Sequence, residues 1–322
     1  MPSKIKIKGE INRILRYLCT LNVWRLNTKL VLAILCVALV WGTTFLGIKI
    51  GVETIPPWFV AGLRQFLAAL IVLPILLFRK EFAWIGWKNF RIQATLSLLM
   101  LVGANGLTTV AEQNLSSSLT SLISALSPVM IFIVSLVVGL QKFSIKAFVG
   151  ILLGFSGVAF IFWDGLEDLL EPQYLQGIII LFLAILSWAI GTVFAKKVSS
   201  KSGQNLILNL FYQFALAGVV QLIFAFAFSK SIDVQTWSFK SMGAVLYLAV
   251  FGSVTTFFAY HYILQKLMPT QVSMLSYVNT IIAIFLGWLI LDEEISIKFV
   301  VATVLIISGV FIMNYRKGML KR

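Results

Sequence analysis

The amino-acid sequence predicts an all-α membrane protein: ten transmembrane helices built from two five-helix repeats of inverted topology. Three observations carry that prediction. Of 322 residues, 60% are hydrophobic and 12% charged, with a mean hydropathy of +0.97; soluble domains run near about 45–50% apolar and about 25% charged. Apolar stretches long enough to cross about 30 Å of hydrocarbon as helices recur along the chain, and none alternates as a membrane barrel strand does. The two halves of the chain also resemble each other.

The predicted spans can be justified in order. Leu30–Ile50 follows a basic segment, residues 1–29, and Trp58–Phe78 ends on Arg79 and Lys80. Ile92–Val110 and Leu115–Leu140 follow, the second ending before Lys142 and Lys146. Ile145–Trp163 leads to the acidic residues Asp164, Glu167, Asp168 and Glu171. Tyr174–Ala195 ends on Lys196 and Lys197, and Leu206–Phe228 precedes Lys230. Phe239–Leu264, Val272–Leu291 and Ile297–Asn314 complete the set, before a basic tail over residues 316–322. Short connections make consecutive helices antiparallel neighbours.

Charge fixes the expected orientation. With the N-terminus in the cytoplasm, 21 of the 26 Lys and Arg residues fall on the inner side. Lys49, Lys230, Lys240 and Lys298 fall outside, and Arg64 lies within a span. Ten of the twelve acids take the outer side; only Glu10 and Glu81 are inside. This is the positive-inside pattern, and it places both termini in the cytoplasm of a bacterial inner membrane. The net charge of +14 therefore marks a membrane side and implies no nucleic-acid partner. Residues 1–29 lack the cleavage pattern of a signal peptide. Ile11, Ile14, Leu15, Leu18 and Leu21, interleaved with Arg13 and Arg16, suit a basic helix on the inner leaflet or a disordered basic tail. Cys19 and Cys36 give neither a disulfide framework nor metal spacing, and His261 alone cannot build a zinc site. We expect no cofactor and no metal.

The self-resemblance appears when the sequence is slid by 152 positions. Ser121 then falls on Ser273, Ser124 on Ser276, and Ser156-Gly157-Val158 on Ser308-Gly309-Val310. A slide of 147 places Trp41 on Trp188 and Lys49 on Lys196. Repeat one covers residues 30–163 and repeat two 174–315. Five spans per repeat is an odd number, so the second copy enters the membrane inverted; the basic Gln141-Lys142 turn becomes Glu293-Glu294. Inverted repeats are a signature of secondary transporters that alternate access to a midplane site.

Residues Trp41-Gly42-Thr43-Thr44-Phe45, Ile48-Lys49, Pro56-Pro57 and Leu63-Arg64 resemble the first repeat of the EamA family of the drug/metabolite transporter superfamily. Asn105-Gly106, Ala111-Glu112-Gln113 and the stretch from Leu122 to Pro128 resemble one bacterial branch of it. The second repeat is similar through Trp188, Leu264-Gln265 and Leu291-Asp292-Glu293-Glu294, but carries Thr280 where many members have proline. The resemblance covers residues from about 30 to 315. It implies ten helices, a central cavity and movement of small metabolites, usually outward.

Polar residues inside a span are costly, so their placement points to function. Asn105, Thr109 and Glu112 recur at helical spacing, as do Ser121 and Ser124, and Ser273, Ser276 and Thr280, the last set flanked by Tyr277 and Asn279. Tyr260 and His261 stand on span eight. We expect these residues, with Trp41 and Trp188 as an aromatic wall, to line a common substrate cavity; close helix packing is the alternative for the serines. Glu112 suits a cation site or proton coupling, and an interfacial acid at a turn is the alternative. His261 is a proton relay or a buried structural histidine. Arg64 pairs with Glu112, holds a substrate carboxylate, or snorkels; Lys49 and Lys196 read as snorkelling residues. Gly150, Gly154 and Gly157 read as helix-packing positions, between repeats or in a homodimer.

The expected function is a secondary transporter that exports small organic metabolites by alternating access, with or without proton coupling. The alternative is a flippase for a lipid-linked carrier, whose cavity opens to lipid. An enzyme is not expected, because the acidic clusters show no metal-ligand spacing, and no P-loop is present. The partners expected are a small-molecule substrate and the bilayer.

Overall fold

In a computed structural model the described residues are 28–115, 117–161, 163, 172–199, 205–229, 232–281 and 297–314. They are predominantly helical, with short turns between helices and no strand among them. The elements are α1 (Thr28–Val52), α2 (Pro57–Phe78), α3 (Gly86–Asn114), α4 (Ser117–Ser124), α5 (Ser127–Val137) and α6 (Ile145–Ile161). After them come α7 (Pro172–Ser199), α8 (Leu206–Phe228), α9 (Phe239–Lys266), α10 (Pro269–Ser273), a helical stretch over 275–281, and α11 (Ile297–Asn314). Six of them, α1, α2, α3, α7, α8 and α9, are clear apolar membrane-spanning helices. The calls on residues 1–27, on the acidic residues 164–171 and 292–294, and on the later part of span nine lie outside the described residues.

The apolar sequence divides by face. Leu32, Leu35, Leu39 and Leu46 of α1 are exposed, while Leu30, Val37, Ala38 and Ile48 are buried. On α11, Val300, Val304, Ile307 and Phe311 recur every three or four residues on the exposed face, and Ala302 and Ile306 are buried. Apolar exposed faces of this kind suit lipid as solvent. The largest helix contacts join α2 to α8 and α6 to α11, and α7 and α8 pack along α3 as α1 and α2 do along α9.

The chain departs from its predicted spans in three places. Span four is not one helix: α4 ends at Ser124, and α5 restarts at Ser127 with Pro128 in its first turn. A proline lacks the N–H needed deep in a helix and is tolerated at a helix start. Span three begins earlier than expected, at Gly86. Most consequentially, α3 and α9 each carry a π-helical segment, Ser97–Gly106 and Leu248–Thr255. Such segments favour functional sites, and hydrophobic periodicity does not reveal them.

The glycines of α6 are used within the chain. A Cβ on Gly150 would lie 2.6 Å from the Gly309 carbonyl oxygen on α11, and one on Gly157 would lie 2.9 Å from that of Ala302. At Gly154 a Cβ would strike the Tyr277 ring. Tyr277 is fully buried there and its hydroxyl donates to the Ile151 carbonyl at 3.1 Å. These positions therefore serve packing inside one chain and are not free for a dimer contact. Gly154→Val should destabilise the protein by about 1–3 kcal/mol through overpacking. Tyr277→Phe, which forfeits one hydrogen bond, should cost about 1 kcal/mol. Unfolding midpoints of the purified variants in one detergent check the order; equal midpoints would contradict this packing.

Candidate functional site

On α1, Trp41, Thr44, Phe45 and Ile48 fall three or four residues apart, hence on one helical face. They form one wall of a cavity with roughly 960 Å³ of empty space, including its open mouth. The facing wall comes from Ala184, Ile185 and Trp188 of α7 and Tyr260 of α9. The aromatic members form one cluster. Trp41 and Trp188 meet edge to face with centroids 5.4 Å apart, and Tyr260 lies 5.0 and 5.2 Å from them. The Tyr260 hydroxyl shares a 2.9 Å hydrogen bond with Thr192 Oγ1, which satisfies its polar end.

The polar lining comes from the broken helices. Asn105 and Thr108 project from α3, Ser121 and Ser124 from α4, and Ser127 from the start of α5. Ser273, Ser276 and Asn279 line the other side. Several hydroxyls spend their proton on their own helix: Ser127 Oγ donates to the Ser124 carbonyl at 2.7 Å, and Ser276 Oγ to that of Ser273 at 2.9 Å. Oriented so that its NH2 meets acceptors, Asn279 donates to the carbonyls of Leu275 and Ala38 at 2.8 and 3.2 Å. Asn105 differs, because its Nδ2 is buried without a hydrogen-bond partner.

Arg64 is the one charged side chain among the described lining residues. It is 3% exposed. Its Nε donates to Ser253 Oγ at 2.8 Å and its Nη2 to the Gly252 carbonyl at 2.9 Å, both in the π segment of α9. It forms no salt bridge with Glu112, which corrects the expected pair: only Arg79–Glu81 and Lys240–Glu53 lie within bridging distance among the described residues. The guanidinium instead satisfies backbone and hydroxyl acceptors that lipid could not.

Nine of the predicted residues line the cavity: Trp41, Asn105, Ser121, Ser124, Trp188, Tyr260, Ser273, Ser276 and Asn279. Five do not, Thr280 among them. Thr109 is buried and turns back to donate to the Asn105 carbonyl at 2.8 Å. Tyr277 is committed to α6, as described above. His261 packs against Phe257 and Tyr260, and its Nε2 has no hydrogen-bond partner. Glu112 is fully buried outside the lining, with neither carboxylate oxygen hydrogen-bonded. It is therefore not the cation site of this cavity. Sequence reasoning missed Thr44, one turn beyond Trp41, and Thr108. The signal for Thr108 was available: the 152-residue slide places it on Tyr260.

Lys49 and Lys196 do not snorkel. Lys49 Nζ donates to the carbonyls of Glu112 and Leu115 at 2.8 and 2.9 Å. Lys196 Nζ donates to those of Leu264 and Gln265 at 2.7 and 3.3 Å. Each lysine thus ties its own helix to the C-terminus of another, where free carbonyls and the helix dipole favour a cation.

An all-helical membrane protein with an aromatic and hydroxyl-lined cavity between its helices is built to hold a small solute. The sequence profile of the EamA-like transporter family matches residues 28–163 and again 175–315, and the chain belongs to that family. It is 28% identical over 287 residues to the uncharacterized transporter YoaV of Bacillus subtilis, covering 89% of this chain and 97% of that one. To the uncharacterized inner membrane transporter YedA of Escherichia coli K12 it is 30% identical over 261 residues, 79% of this chain and 80% of that one. A crystal structure at 16% identity superposes with a TM-score of 0.72 over 89% of this chain and 97% of that chain, and shares its fold. The chain is a multi-pass membrane transporter, not an enzyme.

Replacing either capping lysine by methionine should remove two charge-assisted bonds and lower stability by about 1 kcal/mol or more. Thermal unfolding of Lys49→Met and Lys196→Met in detergent checks this. Midpoints equal to wild type would return both residues to a snorkelling role.

Proposed function

We propose that this transporter is a secondary exporter of small organic metabolites that works by alternating access between two inverted five-helix repeats. On this reading the chain has ten spans, with repeat one over residues 30–163 and repeat two over 174–315. The basic segment 1–29 and the tail 316–322 lie in the cytoplasm of the inner membrane. The observation that carries the reading is the pairing of cavity residues. At the repeat offsets, Trp41 corresponds to Trp188, Thr108 to Tyr260, Ser121 to Ser273, Ser124 to Ser276 and Ser127 to Asn279, and all ten line the same cavity. A site assembled from matching positions of two inverted copies lies on the axis that relates them, where alternating access places the substrate.

Three further correspondences support the repeats. The π segments of α3 and α9 begin at nearly equivalent positions. The matched lysines, Lys49 and Lys196, cap matched helix ends. Gly150 meets Gly309 while Gly157 meets Ala302, and the offset exchanges these partners. A contact in which i meets j and j meets i is what a two-fold relation produces.

Energy for export is assigned to proton exchange at Glu112. A buried carboxyl with no hydrogen-bond partner is expensive in hydrocarbon and tends to mark a proton path. Lys49 and Arg64 are the cations whose charge reaches it. Transport requires no ATP on this scheme.

The test compares culture medium from cells that express wild type, Trp41→Ala or Glu112→Gln at equal membrane levels. Export predicts a small organic solute that accumulates outside only with functional protein and falls at least tenfold with Trp41→Ala. Glu112→Gln should retain exchange of that solute but lose its dependence on a pH gradient in liposomes. Wild-type accumulation with Trp41→Ala would remove the cavity from transport.

A further inference from the structure

The donors of the cavity narrow the substrate class. Arg64 has five N–H donors, and its bonds to Ser253 and Gly252 use two. Among the described residues no further hydrogen bond is made by the guanidinium, and Arg64 belongs to the cavity lining. Asn105 adds a buried, unpartnered NH2 group to the same lining. No acid lines the cavity among the described residues. Glu112, the acid nearest in charge, makes no bridge to Arg64. The guanidinium therefore has no acid in direct contact, and Glu112 acts on it only through its field from outside the lining.

The position of the charge relative to the aromatic wall is also defined. A Cβ on Gly252 would meet both Arg64 Nη2 and the Thr44 methyl, at 3.2 and 3.1 Å, so these two groups are neighbours. Thr44 stands one turn along α1 from Trp41, to whose carbonyl it donates. A helical turn is about 5.4 Å. A cationic fork with spare donors thus stands about one turn from the edge-to-face pair of Trp41 and Trp188.

We propose that the transported solute is an aromatic or otherwise apolar carboxylate, its carboxylate held by Arg64 and Asn105 and its body against Trp41, Trp188 and Tyr260. Planar guanidinium matches a carboxylate with two parallel hydrogen bonds. The inference deepens the transport reading and rests on the same cavity. It excludes a cationic drug as the preferred cargo, because such a ligand would meet Arg64 without a counter-charge.

Three probes of matched shape test it: 3-phenylpropanoate, its neutral amide 3-phenylpropanamide, and the cation 3-phenylpropylamine. Binding to the purified full chain is read from the rise in unfolding temperature and from tryptophan fluorescence. The carboxylate should bind at least tenfold more tightly than either analogue. Arg64→Gln should erase that preference, Asn105→Ala should weaken the carboxylate alone, and Arg64→Lys should retain part of it. Where Arg64→Gln fails to fold, the wild-type comparison and Asn105→Ala decide. Equal binding of amide and carboxylate, preference for the amine, or binding by none of the three would overturn the anion site. Failure of the transport reading looks different: Trp41→Ala then leaves export at the wild-type rate, whatever charge the cavity prefers.

Discussion

In hydrocarbon no water can satisfy a backbone group, so every N–H and C=O needs a partner within the protein. This chain strains that rule twice, in the π segments of α3 and α9, and its tertiary structure is organised around the repair. The Leu99 carbonyl accepts from Ser187 at 2.7 Å and the Leu101 carbonyl from Gln221 at 2.8 Å. The Gly252 carbonyl accepts from Arg64 at 2.9 Å and from Thr256 at 2.7 Å. Ser187 stands on α7, Gln221 on α8 and Arg64 on α2. Satisfying two irregular helices therefore fixes three neighbours against them. Lys49 and Lys196 do the same at the helix ends. The cavity is the space these constraints leave open.

Much of this was legible in the sequence because lipid leaves few options. Apolar length gave the six clear spans, and the slide that put Trp41 on Trp188 found two residues whose rings touch. Ser121, Ser124 and Ser276 were found through the cost of polar groups in hydrocarbon. The failures have separate causes. The stripe through Asn105, Thr109 and Glu112 assumed a uniform α-helix, but Asn105 lies in a π segment that ends at Gly106. Thr108 continues the lining, while Thr109 bonds back to the Asn105 carbonyl of its own helix. Tyr277 was misplaced for another reason: nothing in one helix's pattern tells that Gly154 of another has cleared room for its ring. The lysine caps were invisible because the acceptors are backbone carbonyls, which carry no residue signature.

Matched positions also explain why the site is chemically uneven. On the proposed two-repeat reading, a site built from two copies of one unit starts symmetric, and the paired serines and tryptophans keep that character. Asymmetry then enters where the offset pairs unlike residues: Thr108 with Tyr260, Ser127 with Asn279. Arg64 adds a further asymmetry: it serves a carbonyl of the α9 π segment, whereas a neutral amide, Gln221, serves one in the α3 π segment. The same structural task, done by a charged group on one side only, leaves the cavity with a sign.

That sign carries an energetic argument. A charged side chain at the centre of a membrane helix costs roughly 2.5–3.5 kcal/mol on insertion scales. Two hydrogen bonds to Gly252 and Ser253 offset part of that cost, and the field of Glu112, which makes no direct contact, offsets more. On the proposed anion reading, arginine adds a charge that an incoming carboxylate neutralises. The residue that holds the π segment of α9 to α2 would then also meet the solute, so occupancy of the cavity would act directly on that contact.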